Sequence, residues 1–95
     1  MDNRLSLRDS LMIDFESEEN YIVNGNEEEY DKSYYYMVDT LEIAINNGQA
    51  DDSISEETLK TILKYLEDKG GDLDLCYHNI LMCFYNDLDL SYLKE

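Results

Sequence analysis

Three side chains able to bind a soft metal or attack a carbonyl fall within one short stretch: Cys76, His78 and Cys83. Thiolate and imidazole are the usual zinc ligands, and a thiol beside an imidazole is the pair that nucleophilic catalysis employs. The spacing argues against both uses. His78 is the chain's single histidine, and it lies two positions from Cys76, which on a helix directs the two side chains to roughly opposite sides. Cys83 is five positions further on and also off that face, and the paired-cysteine spacing of structural zinc sites is missing. A disulfide within one helix is excluded as well, because seven residues at roughly 1.5 Å rise separate the Cα atoms by about 10 Å. The two thiols therefore read as small apolar core groups and His78 as a partly exposed residue.

Carboxylates are the other reactive groups, and there are 23 of them. Asp68, Asp72 and Asp74 flank Gly70-Gly71 in a way that resembles a calcium loop at first glance. The ordered oxygen ligands, central glycine and terminal glutamate of such a loop are absent. Gly25 and Gly48 lack the glycine spacing and trailing lysine of a phosphate loop. Acid–base catalysis needs two carboxyl groups in opposed environments within a cleft, and a helical domain of this length seldom encloses one. The expectation is a protein with no catalytic residue, no metal and no cofactor, hence not an enzyme.

The elements carrying these residues read as helices. From about Glu27 to Asn47, Tyr30, Tyr34, Met37, Val38, Leu41, Ala44 and Ile45 mark one buried stripe, with Glu27, Glu28 and Glu29 complementing the dipole of the first turn. Asn47-Gly48 supplies the stop. A second helix follows, capped by Ser53 or Ser55, the former with Glu56 at capping-box spacing; Leu59, Ile62, Leu63 and Leu66 form its inner face and Gly70-Gly71 its end. A third starts after Asp72 or Asp74, with Tyr77, Ile80, Leu81 and Phe84 inward and Leu73 and Leu88 as extensions. The tail from Leu88 to Leu93 reads as a last short helix. Towards the N-terminus, Leu11, Ile13 and Phe15 alternate as in a strand, whereas Leu7, Leu11 and Phe15 are spaced by four as in a helix. The fold class is thus mainly α, a small single-domain bundle of three to four helices over residues 1–95, with a short β-hairpin near residues 10–24 as the alternative.

Charge is the unusual quantity. Twenty-three Asp and Glu against seven Lys and Arg give a formal net charge of −16, well past the roughly 2 to 8 charges that solubility asks of a small domain. Such an excess repels nucleic acid and anionic membranes, and it opposes folding by self-repulsion, so a cationic partner is the simplest compensation. Met1-Asp2-Asn3-Arg4 shows no basic region leading into an apolar stretch, and two cysteines do not make a disulfide scaffold, so a cytoplasmic location is expected. Double-stranded DNA carries one charge per roughly 1.7 Å of axis, so sixteen charges correspond to about 27 Å of duplex, close to the diameter of a compact chain of this length.

Tyrosine is the second clue, with nine residues and no tryptophan. Tyr30, Tyr34 and Tyr77 lie on inner stripes. Tyr35 and Tyr36 do not: Lys32, Tyr36, Asp39 and Ile43 form a row on the opposite side, with Tyr35, Glu42 and Glu28 beside it. Tyrosine among carboxylates suits a binding face, because the ring supplies area at low entropic cost while the acids steer encounter. The expected partner-binding residues are Glu28, Glu29, Tyr35, Tyr36, Asp39 and Glu42, together with Asp51 and Asp52 in the connection that follows. A central helix buried all round is the competing reading.

In character the whole chain resembles two groups of small acidic inhibitors. Tyr35-Tyr36 next to Asp39 is similar to the tyrosine pair among acids of colicin-nuclease immunity proteins, although the proline that normally follows the pair is missing. The distributed acidity resembles the DNA-mimic inhibitors of bacteriophage, including anti-CRISPR and anti-restriction proteins. That second resemblance implies an inhibitor that binds the basic nucleic-acid-binding surface of a partner such as a nuclease. The first implies an immunity protein seated beside a nuclease active site. An acidic structural or regulatory subunit, or a homodimer through the Tyr35/Tyr36 face, is the remaining alternative.

Overall fold

Ser6 begins the first helix: its Oγ accepts the backbone N–H of Asp9 at 3.1 Å, satisfying one of the donors a helix start leaves unpaired. A computed structural model describes residues 5–25 and 27–94. It contains α1 (Leu7–Asn24), α2 (Glu27–Asn46), α3 (Glu56–Lys69), α4 (Leu73–Tyr85) and a 3-10 turn (Leu90–Leu93). A small helical bundle is therefore the architecture, and the hairpin alternative near residues 10–24 is overturned by α1. The spacing by four prevails there because Leu11, Phe15 and Ile22 are buried on one helical side. Ile13, which a strand would have turned inward with Leu11, is 43% exposed.

Local chemistry sets the remaining boundaries. Past α2, Gly48 adopts φ +63°, and the bonds Gly48 N–H to Ile45 O and Gln49 N–H to Ala44 O close a Schellman motif. A residue with a Cβ is strained in that left-handed position. Ser55 caps α3 by accepting the Thr58 N–H. The capping box expected of Ser53 and Glu56 does not form, because Ser53 is engaged elsewhere, with its Oγ bonded to Asp51 and accepting the Arg8 backbone N–H. Asp72 caps α4 through the Leu75 N–H. That helix stops at Tyr85 without extending through Leu88: Asp87 and Leu88 take left-handed φ values of 60° and 59°. Arg8 holds this corner, donating to Asp87 Oδ1 at 2.9 Å and to the Phe84 carbonyl at 3.2 Å, where a cation also complements the C-terminal end of the helix dipole.

The helices form a closed ring in which α1 packs on α2, α2 on α3, α3 on α4 and α4 back on α1. The core between them joins Leu11, Phe15, Met37, Leu41, Leu59, Ile62, Leu66, Tyr77, Ile80, Leu81 and Phe84. Phe15 is its aromatic hub, with ring centroids 5.4 Å from Tyr77 in an edge-on arrangement and 6.0 Å from Phe84, geometries that aromatic pairs favour. Ser33 is buried among them, and its hydroxyl meets the Tyr77 hydroxyl at 2.9 Å, so neither polar group is left without a partner.

Candidate protein-interaction face

Cys76, His78 and Cys83 are all on α4, and the fold separates them. Cys76 and Cys83 are buried and His78 is exposed. Burial, then the Asp72 carboxylate, pushes the Cys76 thiol up to about 12; burial, then Asp89, pushes Cys83 up to about 11. At neutral pH both are protonated thiols, poor as nucleophiles and as ligands. Among the described residues no group of three His, Cys, Asp or Glu side chains is placed to hold a metal ion. None of these helices is long and apolar enough to cross a membrane.

The outer side of α2 is different. Glu28, Asp31, Lys32, Tyr35, Tyr36, Asp39, Glu42, Ile43 and Asn46 are all exposed, and they recur at the three-to-four spacing of one helix face. Tyr35 is 65%, Tyr36 51% and Ile43 54% exposed, so α2 is not a central helix buried all round. Its inner side, Ser33, Met37, Val38, Leu41 and Ala44, is committed to the core. Of the eight residues expected to bind a partner, Glu28, Tyr35, Tyr36, Asp39 and Glu42 share this stripe.

Three lie elsewhere. Glu29 is half-buried; it bonds the Tyr21 hydroxyl, which raises the pKa of that tyrosine, and its Oε2 is screened from solvent. Asp51 and Asp52 are exposed in the connection after α2. Asp51 is occupied in building that connection: its carboxylate accepts from the Ser53 side chain and backbone, which holds it below the usual carboxylate range. Tyr30 and Tyr34, expected inward, are half-buried at the edge of the stripe, whereas Tyr77 is fully buried.

Charge is divided unevenly between the elements. Together α1 and α2 carry eleven Asp and Glu against Arg8 and Lys32, a net −9. By contrast α3 carries four acids against Lys60, Lys64 and Lys69, a net −1. Since α1 and α2 pack side by side, one flank of the bundle holds more than half of the net charge, and the lysines concentrate on another.

Sequence spacing gave no sign of the hydroxyl donors that meet carboxylates across the bundle. Tyr85 donates to Glu16 at 2.6 Å across 69 residues, and Tyr30 to Asp74 at 3.3 Å across 44. The bond to Glu16, then burial, pushes Tyr85 up to about 12. Tyr65, missed as a core residue, is buried and accepts from Asn79 at 2.9 Å. In a chain short of cations, tyrosine hydroxyls do part of the work of pairing carboxylates.

No protein-family model, curated protein or solved structure matches this chain.

Proposed function

We propose that this protein is a non-enzymatic inhibitor that lays its acidic flank on the basic nucleic-acid-binding surface of a partner, a nuclease or related enzyme, and blocks it by imitating DNA. The observation that carries this reading is the exposed stripe of α2, where Tyr35 and Tyr36 stand among Glu28, Asp39 and Glu42 on the flank that holds net −9. From Glu28 to Asn46 the stripe runs for about 27 Å at 1.5 Å per residue. Over the 40 Å long axis the net charge of −16 amounts to one charge per about 2.5 Å, roughly two-thirds of the density along duplex DNA. Carboxylates supply the field, and the tyrosine rings supply area that a phosphate backbone lacks.

Such an inhibitor associates fast and loses affinity steeply with salt, because exposed charges act only within a Debye length of about 8 Å at physiological ionic strength. The test is binding to a panel of nucleases from 50 to 500 mM salt, with duplex DNA as competitor. A steep salt slope and displacement by duplex support mimicry; affinity that stays flat across that range overturns it. The exposed Tyr35-Tyr36 pair beside Asp39 favours a second reading, an immunity protein bound beside the active site. That arrangement leaves the nuclease groove open, so duplex DNA binds without displacing the protein.

A further inference from the structure

Where α2 passes the turn between α3 and α4, the surface holds a notch of about 290 Å³. That is at the lower edge of the roughly 300–1,000 Å³ typical of small-molecule sites, room for the head of one long side chain. Its walls are Tyr30, Tyr34 and Tyr35 from α2 and Leu73 from α4, with the carboxylates of Asp31 and Glu67 at the rim. We propose that this notch receives a single arginine guanidinium from the basic partner, a proposal that rests on the inhibitor reading above and names its anchoring contact.

Three features point to that occupant. The rings of Tyr34 and Tyr35 stand 76° apart with centroids 5.3 Å from each other, an aromatic corner whose π faces attract a cation. Asp31 and Glu67 are exposed, and among the described residues neither is engaged by a cation, so the notch presents unneutralised negative charge beside the rings. The corner is also held in place. The Tyr30 hydroxyl is tied to Asp74 at 3.3 Å, and the Tyr34 ring lies so close to the turn that a Cβ on Gly70 would stand 2.5 Å from its Cε1. Only glycine admits the ring there. Burial, then Glu67, raises the pKa of the Tyr34 hydroxyl, keeping the ring neutral.

Guanidinium fits these walls better than ammonium. It is planar and weakly hydrated, it stacks on an aromatic face, and its fork of donors matches a carboxylate. An anion is repelled by the rim. For a metal ion, no group of three His, Cys, Asp or Glu side chains converges here among the described residues.

N-acetyl-arginine amide, titrated into the intact protein while the tyrosine ring resonances are followed by NMR, tests the pocket without any partner. Saturable shifts confined to Tyr30, Tyr34 and Tyr35, with a dissociation constant in the millimolar range and weaker binding of N-acetyl-lysine amide, are expected. Tyr35→Leu and Glu67→Gln should each weaken binding by roughly tenfold, the loss of one cation–π wall or its Coulomb partner. Gly71→Leu, placed where an added Cβ meets nothing within 4 Å, should block the notch with the fold unchanged by circular dichroism. Non-saturating shifts spread over the acidic surface, equal response to the lysine compound, or indifference to all three substitutions overturn the pocket. Those outcomes leave the salt and competition results of the inhibitor reading standing, so the two fail separately.

Discussion

Helices α2 and α4 each carry side chains that invite a functional reading, and the fold treats them in opposite ways. In α4, Leu73, Cys76, Tyr77, Ile80, Leu81, Cys83 and Phe84 are all buried, because the helix is packed by α1, by α3 and by the terminal 3-10 turn. Its thiols and Tyr77 become packing material. In α2 one side packs on α1 and α3, and the other, among the described residues, is exposed along its length. Tyr77 and Tyr36 are the same residue type with opposite employment. The difference lies in the neighbours: α4 is covered by the terminal 3-10 turn as well as by two helices.

Truncation separates the two regions most sharply. Phe84→Ala should lower unfolding free energy by about 3–5 kcal/mol, since it empties the core against Phe15. Tyr36→Ala, at an exposed position with no core contact, should change it by less than about 0.5 kcal/mol. Urea denaturation of both variants measures this, and comparable losses would mean that the α2 stripe is structural.

Thiol chemistry sharpens the contrast next. With Cys76 pushed up from 9.0 to about 12, its thiolate fraction at pH 8 falls by about a thousandfold, three pKa units. A thiol reagent should therefore modify the native protein far more slowly than the urea-unfolded chain. Because both thiols have raised values in the folded state, the stability gained by keeping them neutral is complete below their ordinary value. It is lost as pH climbs through about 11 for Cys83 and about 12 for Cys76. Rapid native modification at pH 8 would place the thiols outside the core.

Salt gives the smallest effect. Screening self-repulsion on the α1–α2 flank should raise the melting temperature between 20 and 500 mM NaCl by roughly 4–8 °C, the equivalent of about 1 kcal/mol. Differential scanning calorimetry reads it, and a melting temperature unchanged by salt would mean that the flank carries no net repulsion.

Much of the fold was legible because local rules agreed. The 3.6-residue stripes of α2, α3 and α4 and the stop at Asn47-Gly48 need only neighbours in sequence. What stayed open was what depends on distant partners. Leu11 and Phe15 fit a strand with Ile13 and a helix with Leu7, until Phe15 is seen against Tyr77 and Phe84. Ser53 looked like a cap until Arg8, 45 residues away, claimed its hydroxyl. The outward face of α2 followed from its wheel, but the withdrawal of Glu29 to Tyr21 and the concentration of net −9 on α1 and α2 required the packing.

Two triple variants with the same net charge decide whether location matters or only acidity. Glu28→Gln, Asp39→Asn and Glu42→Gln on α2, and Glu56→Gln, Glu57→Gln and Asp68→Asn on α3, each take the chain from −16 to −13. Measured against the same nuclease at 100 mM salt, the α2 variant should lose roughly tenfold or more in affinity and show a shallower salt slope, while the α3 variant stays within about twofold. Equal losses from both would contradict a recognition face on α2 and leave only undirected attraction between an acidic and a basic protein.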